Sequence, residues 1–494
     1  MTQNGSRLMT DGPVLAVDQG TSGTKALVLC PRRGVLGSGT APVRPRHLPG
    51  GLVEADPAEL YGSVVAAGRA ALAEAGVPVV AVGLANQGET VLAWDPATGA
   101  PLTDALVWQD RRAAGVCAEL APHAAGLEEL TGLPLDPYFA APKMAWIRRH
   151  ATGAGVVTTS DSWLVHRLTG AFVTDAATAG RTGLLDPAAV AWSAPALDLY
   201  GLGGERLPRI VDCDEPVGTT TAFGPPLPLT GLLVDQQAAL LAQSATAASA
   251  AKCTYGTGAF LLARTGPRPR RTTTGLVGCV AWRLRGRTEH CLDGQVYTVA
   301  SAVRWLTDLG VVSGARDLDA VGGSVPDSGG VTFVPALAGL AAPWWRGEAR
   351  GSLTGLGLGT GRGHLVRALV EGIAAQVVEL AGAAAADRGA PLEALRADGG
   401  LTGSALLMQT QADLLQLPVE VAALPDATAL GVGAAARLGH DPRLSVPEAV
   451  PEWKPSAVYE PAIPADEAAE RMGRFRAEVA ALLERTGPGS GDLP

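Results

Sequence analysis

The sequence predicts an α/β fold, because short apolar strand-like runs alternate with helical patterns and because one strand–turn–strand unit occurs twice. In the first unit, the runs 14–17 and 26–30 flank a turn at Gly20 to Gly23 that is rich in Gly, Thr and Ser. The second unit, at 251–264, turns on Tyr-Gly-Thr-Gly. Two such hairpins about half a chain apart indicate two similar domains that face one central site.

The elements after the first hairpin continue the alternation. Apolar residues recur at every fourth position from Leu365 onward, which predicts a helix over 364–381. A Ser/Ala/Thr-rich run at 244–250 marks the expected domain boundary, which gives domains over 1–244 and 245–494. The other segments are strands and Pro/Gly-rich loops: strands at 79–85, 231–234 and 331–337, and loops at 224–231 and 265–275.

Composition limits the classes of protein. Of the 494 residues, 47% are hydrophobic and 18% charged, which is enough apolar material for a buried core and excludes wholesale disorder. The net charge of −9 does not favour nucleic acid as a partner. No run of eighteen residues is apolar throughout and the first residues lack a signal-peptide pattern, so we expect a cytoplasmic protein without a membrane segment.

The first turn, DQGTSGTK at 18–25, is suited to binding phosphate. Its backbone N–H groups can approach phosphate oxygens closely, and its hydroxyls and Lys25 add donors. Asp18, at the end of the first strand, could hold Mg²⁺. The segment is not a Walker A loop, since the dipeptide Gly-Lys is absent from the chain. An ordinary hairpin turn remains an equally good interpretation of the motif alone.

Two later turns have the same character with less specificity. They are TYGTG at 254–258 and the Gly-Gly turn within 395–409, where a helix is predicted to begin near Ser404. A helix N-terminus after glycines can bind a phosphate or the edge of a base. For the third turn alone, a plain strand-to-helix connection is the better interpretation.

Asp235 follows an apolar strand and opens a predicted helix. At that end of the helix dipole its carboxylate is expected to stay ionised, and it could act as a general base toward a substrate hydroxyl. Capping the helix is the commoner role for Asp there, and position alone does not separate the two.

Aromatic residues beside polar groups point to a hydroxylated carbon chain as ligand. Trp108, Tyr138 and Phe260 can cover C–H faces while Glu89 binds hydroxyl groups. At any single position, core packing is the more frequent role of an aromatic residue.

Taken in order, these segments resemble the FGGY carbohydrate kinases, and within that family the glycerol kinases most closely. The resemblance runs from about 14 to 440 and is carried by the two hairpins and by NQGETVLAWDPATGAPLTDALVWQDRR, TGLPLDPYFAAPKMAWI, TDAATAGRTGLLD, GLLVDQQAALLAQ and LRADGGLTGSALLMQ. It implies two actin-like, ribonuclease-H-like domains with ATP and substrate in the cleft between them. By family habit it also implies a homo-oligomer, a dimer or tetramer.

The resemblance assigns roles to matching positions. Asp235 would be the catalytic base, and Asp18 and Asp235 would hold Mg²⁺. The substrate pocket would contain Gly88, Glu89, Trp108, Tyr138, Asp235, Gln236 and Phe260. The nucleotide site would contain Gly20, Thr21, Ser22, Lys25, Gly256, Thr257, Gly258, Ala300, Arg304, Gly400 and Ser404.

The chain departs from the glycerol kinase pattern at the substrate pocket. Gly88 stands where those enzymes usually carry an Arg that binds a substrate hydroxyl, so we expect a larger pocket with fewer donors. On the nucleotide side Lys25, Ala300, Arg304 and Ser404 replace the usual Arg, Gly, Gln and Asn, which should retune affinity for ATP.

The leading prediction is therefore an ATP-dependent kinase that phosphorylates a primary hydroxyl of a small polyol or sugar longer than glycerol. The first alternative is a true glycerol kinase. The second is a non-catalytic, nucleotide-gated sugar-binding protein on the same fold.

Overall fold

The computed structural model describes residues 12–424 and 426–486, and the first half of this chain is built on a six-stranded mixed sheet. Its central strand, Val14–Gln19, is antiparallel to Gly23–Cys30 and parallel to Ala81–Asn86. Across the sheet the order is Gly218–Thr220, Leu227–Val234, Ala81–Asn86, Val14–Gln19, Gly23–Cys30 and Gly34–Pro42. Because the three parallel strands end at one edge, the residues that follow them come together there.

The second half repeats this plan in a seven-stranded sheet. Its central strand, Ala250–Tyr255, is antiparallel to Ala259–Gly266 and parallel to Ala394–Asp398. Across the sheet the order is Val277–Leu284, Arg287–Val296, Ala259–Gly266, Ala250–Tyr255, Ala394–Asp398, Val419–Ala422 and Pro455–Tyr459. Both predicted hairpins are present, and each leads into parallel strands in the same relative positions. The predicted duplication of an α/β unit is confirmed.

Smaller sheets complete the β-structure. A five-stranded sheet contains Arg46–Leu48, Leu52–Ala55, Ala105–Leu106, Val91–Trp94 and Val156–Thr159. Three two-stranded sheets pair Val173–Asp175 with Arg209–Val211, Leu185–Asp186 with Ala191–Trp192, and Thr332–Val334 with Ser352–Thr354.

Helices cover the sheets. Those of the first half are Pro57–Ala75, Ala114–Leu120, Ala124–Thr131, Ala140–His150, Ser160–Thr169, Ala176–Ala179, Ala194–Tyr200 and Asp235–Ser244. Those of the second half are Ala300–Asp308, Leu318–Gly322, Arg362–Arg388, Ala405–Leu415, Ala427–His440, Val446–Ala449 and Ala465–Thr486. Short 3₁₀ turns lie at Ala121–His123, Ala315–Asp317 and Gly400–Gly403.

The prediction of a loop over 224–231 is wrong from residue 227 onward. Leu227–Val234 is a strand although it contains Pro228. Pro228 pairs only with the short edge strand Gly218–Thr220, and the ladder with Ala81–Asn86 begins at Leu229, so the missing N–H breaks no central hydrogen bond.

Three other element predictions need new limits. The strand predicted over 331–337 is confined to Thr332–Val334, and the loop predicted over 265–275 begins after Gly266. The predicted helix 364–381 extends over Arg362–Arg388. The run 244–250 connects helix Asp235–Ser244 to strand Ala250–Tyr255, and the domain limits drawn there stay a prediction.

Helix Arg362–Arg388 is long and apolar enough to cross a membrane by length and composition alone. However, 67% of its most apolar window is buried inside the protein, and Val366, Leu369 and Ile373 lie in the core of the second half. A core helix of a soluble protein has these same properties.

Candidate active site

A cavity of about 170 Å³ lies between the two halves of the chain. The first half contributes Thr21, Gly88, Glu89, Trp108, Tyr138, Arg181, Val234, Asp235, Gln236 and Gln237 to its wall. The second half contributes Thr254, Gly256, Thr257, Phe260 and Asp293. All seven residues assigned to the substrate pocket from the sequence are thus brought together, with three of those assigned to the nucleotide.

The other predicted site residues do not line this cavity. They are Asp18, Gly20, Ser22, Lys25, Gly258, Ala300, Arg304, Gly400 and Ser404. Most of them lie in the three glycine-containing turns or directly beyond them.

The first two turns have tight backbone geometry. Gly20 N donates to Gly23 O over 3.0 Å, and Gly256 N donates to Gly258 O over 2.8 Å. A Cβ at Gly258 would meet Val296 O at 2.4 Å, so only glycine fits there. The second turn also abuts helix Ala300–Asp308, because Ala300 N donates to Gly256 O over 3.1 Å.

The third turn approaches the second across the sheet edge. Gly399 has a φ of 96°, and a Cβ there would lie 2.5 Å from Tyr255 O, so this position requires glycine. Ser404 caps helix Ala405–Leu415 by accepting a hydrogen bond from Leu407 N over 3.2 Å, and it donates to Asp319.

Lys25 forms an ion pair between the two halves. Its Nζ lies 2.5 Å from Oδ1 of Asp426, the residue directly before helix Ala427–His440. To bind nucleotide phosphates, as the resemblance implies, Lys25 would have to exchange this carboxylate for phosphate oxygens.

Asp235 is the first residue of helix Asp235–Ser244 and lies in the cavity wall. Its Oδ1 accepts a hydrogen bond from Gln236 N over 2.7 Å. Burial raises the pKa of Asp235 to about 6, while the Gln236 N–H and the Lys252 ammonium act in the opposite direction. The carboxylate is therefore mostly ionised at neutral pH yet basic enough to accept a proton.

Asp18 lies at the carboxyl end of the central strand, in a group of carboxylates. Burial, Asp235 and Asp426 raise the pKa of Asp18 to about 8. No group of three or more His, Cys, Asp or Glu side chains that could hold a metal ion by themselves occurs within residues 12–424 and 426–486. Mg²⁺ prefers oxygen ligands and is commonly held by one or two carboxylates together with substrate phosphates. The carboxylates of Asp18 and Asp235 fit that chemistry.

The aromatic residues form one wall of the cavity. The ring of Trp108 contacts Tyr138 and Phe260 edge-on, at centroid distances of 5.7 and 6.0 Å. Trp108 Nε1 donates to Thr21 Oγ1 over 2.8 Å, which joins the substrate wall to the first turn. Such rings offer apolar faces to the carbon chain of a polyol.

Arg181 is the main feature that sequence reasoning missed. Its Nε donates to Glu89 Oε1 over 2.6 Å, and its Nη1 lies 2.7 Å from Asp293 Oδ2 in the other half. All three side chains are buried. Burial raises the pKa of both carboxyl groups, and the guanidinium of Arg181 opposes this. The available signal was a single basic residue in TDAATAGRTG, a run made mostly of small residues.

Lys252 was also missed. Its side chain is fully buried, and Nζ donates to Gln236 Oε1 over 2.5 Å and to Thr254 Oγ1 over 2.8 Å. Burial lowers its pKa, and Asp398 and Asp235 act in the opposite direction. As one of four lysines in the chain, placed inside an apolar strand, it was recognisable from the sequence.

Gly88 leaves open space in the wall. A Cβ there would have only Val234 Cγ2 within 4 Å, at 3.2 Å. The next residue, Glu89, has a φ of 55°, a conformation that costs a non-glycine residue about 1–3 kcal/mol. This strained turn directs the Glu89 carboxylate to Arg181.

The chain is similar to carbohydrate kinases in both sequence and structure. A glycerol kinase from Aromatoleum aromaticum is 42% identical over 485 residues, covering 94% of this chain and 98% of that protein. The crystal structure of Plasmodium falciparum glycerol kinase with ADP has a TM-score of 0.86 at 28% identity and covers 97% of this chain and 99% of that one. A xylulose kinase from Lactobacillus acidophilus shares the fold, with a TM-score of 0.85 at 20% identity and coverage of 97% and 99%.

The family models match nearly the whole chain. The N-terminal domain of the FGGY family of carbohydrate kinases matches residues 13–242, and its C-terminal domain matches residues 251–438. The predicted pair of actin-like, ribonuclease-H-like domains is confirmed by these matches and by the solved structures. The chain belongs to the FGGY family of carbohydrate kinases, ATP-dependent enzymes that transfer a phosphoryl group to an alcohol, and within that family it is glycerol kinase-like.

Proposed function

We propose that this chain phosphorylates a primary hydroxyl of glycerol with ATP. The observation that carries the proposal is the cavity between the halves, in which a half-buried carboxylate, Asp235, adjoins an aromatic wall and the buried carboxylate of Glu89. A volume of about 170 Å³ suits a small polyol. The glycerol kinases that match over most of the chain favour glycerol over the longer substrate expected from the sequence.

In this proposal Asp235 is the general base. It takes the proton of the substrate hydroxyl as that oxygen forms a bond to the γ-phosphorus of ATP, the bond between the γ-phosphorus and the bridging oxygen breaks, and ADP leaves. Its position at a helix N-terminus and the nearby ammonium of Lys252 favour the ionised form that can accept a proton. Trp108, Tyr138 and Phe260 cover the carbon chain while Glu89 accepts a hydrogen bond from a hydroxyl.

The nucleotide would bind at the three turns. Backbone N–H groups of the first two turns and the Lys25 ammonium would bind the phosphates, and the residues from Gly399 to Ser404 would bind the remainder of the nucleotide. Asp18 and Asp235 would hold Mg²⁺, which neutralises the phosphate charge when bound. We place this reaction in the cytoplasm.

The test is coupled ADP release with glycerol, erythritol, ribitol and xylulose as acceptors. We expect glycerol to have the highest kcat/KM, and Asp235→Asn to lower kcat by roughly 10²–10⁴-fold because the base is lost while its shape is kept. Asp214→Asn is the matched control, since Asp214 is a buried carboxylate that pairs with Arg285 and does not line the cavity. Full turnover by Asp235→Asn would overturn the mechanism.

One observation favours a second candidate, a kinase for a longer polyol or ketose. The space beside Gly88 could accept a carbon atom beyond the three of glycerol. A tetritol, pentitol or pentulose that exceeds glycerol tenfold in kcat/KM in the same panel would establish this candidate in place of glycerol.

A further inference from the structure

We propose that Arg181 binds a substrate hydroxyl directly, through its Nη2 amino group. This contact makes the cavity selective for a substrate that has a hydroxyl on the carbon next to the one that carries the reacting hydroxyl. The inference rests on the proposed function and names a further specificity-determining residue of that same cavity.

The hydrogen bonds of Arg181 leave one donor group unused. Nε donates to Glu89 Oε1 over 2.6 Å, and Nη1 lies 2.7 Å from Asp293 Oδ2 and 3.7 Å from Cys279 Sγ. Nη2 has no hydrogen-bond partner among the residues that the structure describes. Because the side chain is 3% exposed and lines the cavity, the partner available to this group is whatever occupies the cavity. A charged donor that faces a cavity without a protein partner can be satisfied by a hydroxyl oxygen of the bound molecule.

The guanidinium is also held in place before a substrate arrives. Glu89 and Asp293 fix it from opposite halves of the chain, and its Cζ lies 5.8 and 5.4 Å from the ring centroids of Tyr138 and Phe139. A donor that does not have to be ordered on binding adds affinity and selectivity at low entropic cost.

Among the described residues, the space beside position 88 is bordered closely by Val234. Position 88 carries no side chain, and a Cβ there would have only Val234 Cγ2 within 4 Å. Arg181 is thus the guanidinium available to the substrate in this wall. Glu89, bound to Arg181, places a carboxylate acceptor beside the Nη2 donor, and a hydroxyl group can both accept from one and donate to the other.

The experiment compares glycerol with 1,3-propanediol and 1,2-propanediol, each of which lacks one hydroxyl, in the wild type and in Arg181→Lys. Lysine keeps the charge but loses the fork of donors. We expect kcat/KM for glycerol to fall roughly ten- to a hundredfold, through KM, with the KM for ATP unchanged. For the diol that lacks the contacted hydroxyl, the fall should be several-fold smaller.

Arg148→Lys is the matched control. Arg148 makes a two-pronged ion pair with Glu205, at 2.6 and 2.8 Å, and does not line the cavity. Its replacement should leave the ratio of glycerol to diol kcat/KM unchanged. If Arg181→Lys proves thermally unstable, the double variant Arg181→Lys/Asp293→Asn replaces it, because the amide of asparagine removes the buried charge that has lost its partner. The expected ratio of glycerol to diol kcat/KM is the same for the double variant.

Equal losses for glycerol and both diols, or a parallel rise in the KM for ATP, would overturn the inference and leave Arg181 as a structural link between the halves. These results differ from failure of the proposed function. In that case the wild type itself would not phosphorylate glycerol.

Discussion

At the scale of single residues, the proposed substrate selectivity depends on the wall of the cavity near Gly88. Gly88 opens the wall, Glu89 turns back in a strained conformation, and Arg181 reaches Glu89 from a distant segment. The sequence-based expectation of a larger pocket with fewer donors rested on the motif around residue 88. Arg181 is 92 residues from Glu89, so that expectation omitted the group that now lies there.

Replacing Gly88 with Arg should narrow the cavity. The Cβ is accommodated if Val234 yields by a few tenths of an ångström, and the longer side chain then fills the open space and adds a second positive charge near Arg181. We expect Gly88→Arg to raise the ratio of kcat/KM for glycerol to that for erythritol by at least tenfold. Steady-state kinetics with both acceptors measure the ratio.

Gly88→Ala is the control for this substitution, because it adds only the Cβ and should change the ratio less than threefold. A ratio that falls in Gly88→Arg would contradict the expectation that the space beside residue 88 holds the far end of the substrate.

At the scale of elements, helix Ala427–His440 is packed unusually closely against its neighbours. A Cβ at Gly83 would meet Val432 O at 2.5 Å, and one at Gly231 would meet Ala436 N at 2.5 Å. On the helix itself, a Cβ at Gly431 would lie 1.8 Å from Ala238 O. This packing places the second half against the first sheet. It also places Asp426 beside Lys25, directly before the helix begins.

Gly431→Ala should therefore destabilise the protein. The added methyl group cannot enter without moving the backbone of helix Asp235–Ser244, which carries Asp235, and such overpacking costs about 1–3 kcal/mol. We expect a lower Tm and a lower kcat, measured by thermal unfolding and ADP release.

The control is Gly473→Ala, in the exposed part of helix Ala465–Thr486. A Cβ there has nothing within 4 Å, so alanine should stabilise by about 0.5–1 kcal/mol through helix propensity. Equal Tm values for the two variants would show that helix Ala427–His440 adjusts more freely than its contacts indicate.

At the scale of the whole molecule, the two halves meet around buried charges. Asp18 and Asp235 belong to the first half and Asp398 and Asp426 to the second, and the other three carboxylates all raise the pKa of Asp18. Opposite charges also cross between the halves, from Lys25 to Asp426 and from Arg181 to Asp293. Ionisation of the buried groups in the cleft is therefore thermodynamically linked to the association of the two halves.

This linkage predicts a pH dependence of stability. The pKa of Asp18 is raised from 3.8 to about 8 in the folded state, so the folded protein binds the proton more tightly than the unfolded chain. Its stabilising contribution is fully present below 3.8 and is lost as pH rises through 8. The side chain of Asp18→Asn cannot ionise. The Tm of this variant minus the Tm of the wild type should therefore increase as pH rises from 6 to 9.

Thermal unfolding across that range measures the difference. Mg·ADP should make the Tm difference between Asp18→Asn and the wild type smaller, because bound Mg²⁺ favours the ionised carboxylate of Asp18 in the wild type. A Tm difference that does not change with pH would mean that Asp18 is ionised in the folded protein at pH 6.

The predictable part of this protein is what depends on neighbours in the chain. Alternating apolar runs predicted the two hairpins, and the four-residue spacing from Leu365 predicted the helix that forms the core of the second half. The start of strand Leu227–Val234 was predicted as a loop because Pro225, Pro226 and Pro228 lie close together there. Only the position of Pro228 beside an edge strand makes it tolerable.

The candidate site divides in the same way. Asp235, Trp108, Tyr138 and the glycine turns were identified by the sequence itself, because turn chemistry and family motifs are local patterns. The partners of Arg181, Asp293 and Lys252 were decided by the tertiary structure: Arg181 meets Glu89 and Asp293 in the wall of the cavity, and Lys252, which does not line the cavity, donates to Gln236, which does. The sequence alone thus determined the α/β duplication and the family. The packing of the two halves determined which charged groups surround the cavity, because burial and pairing of charges depend on distances that no local pattern contains.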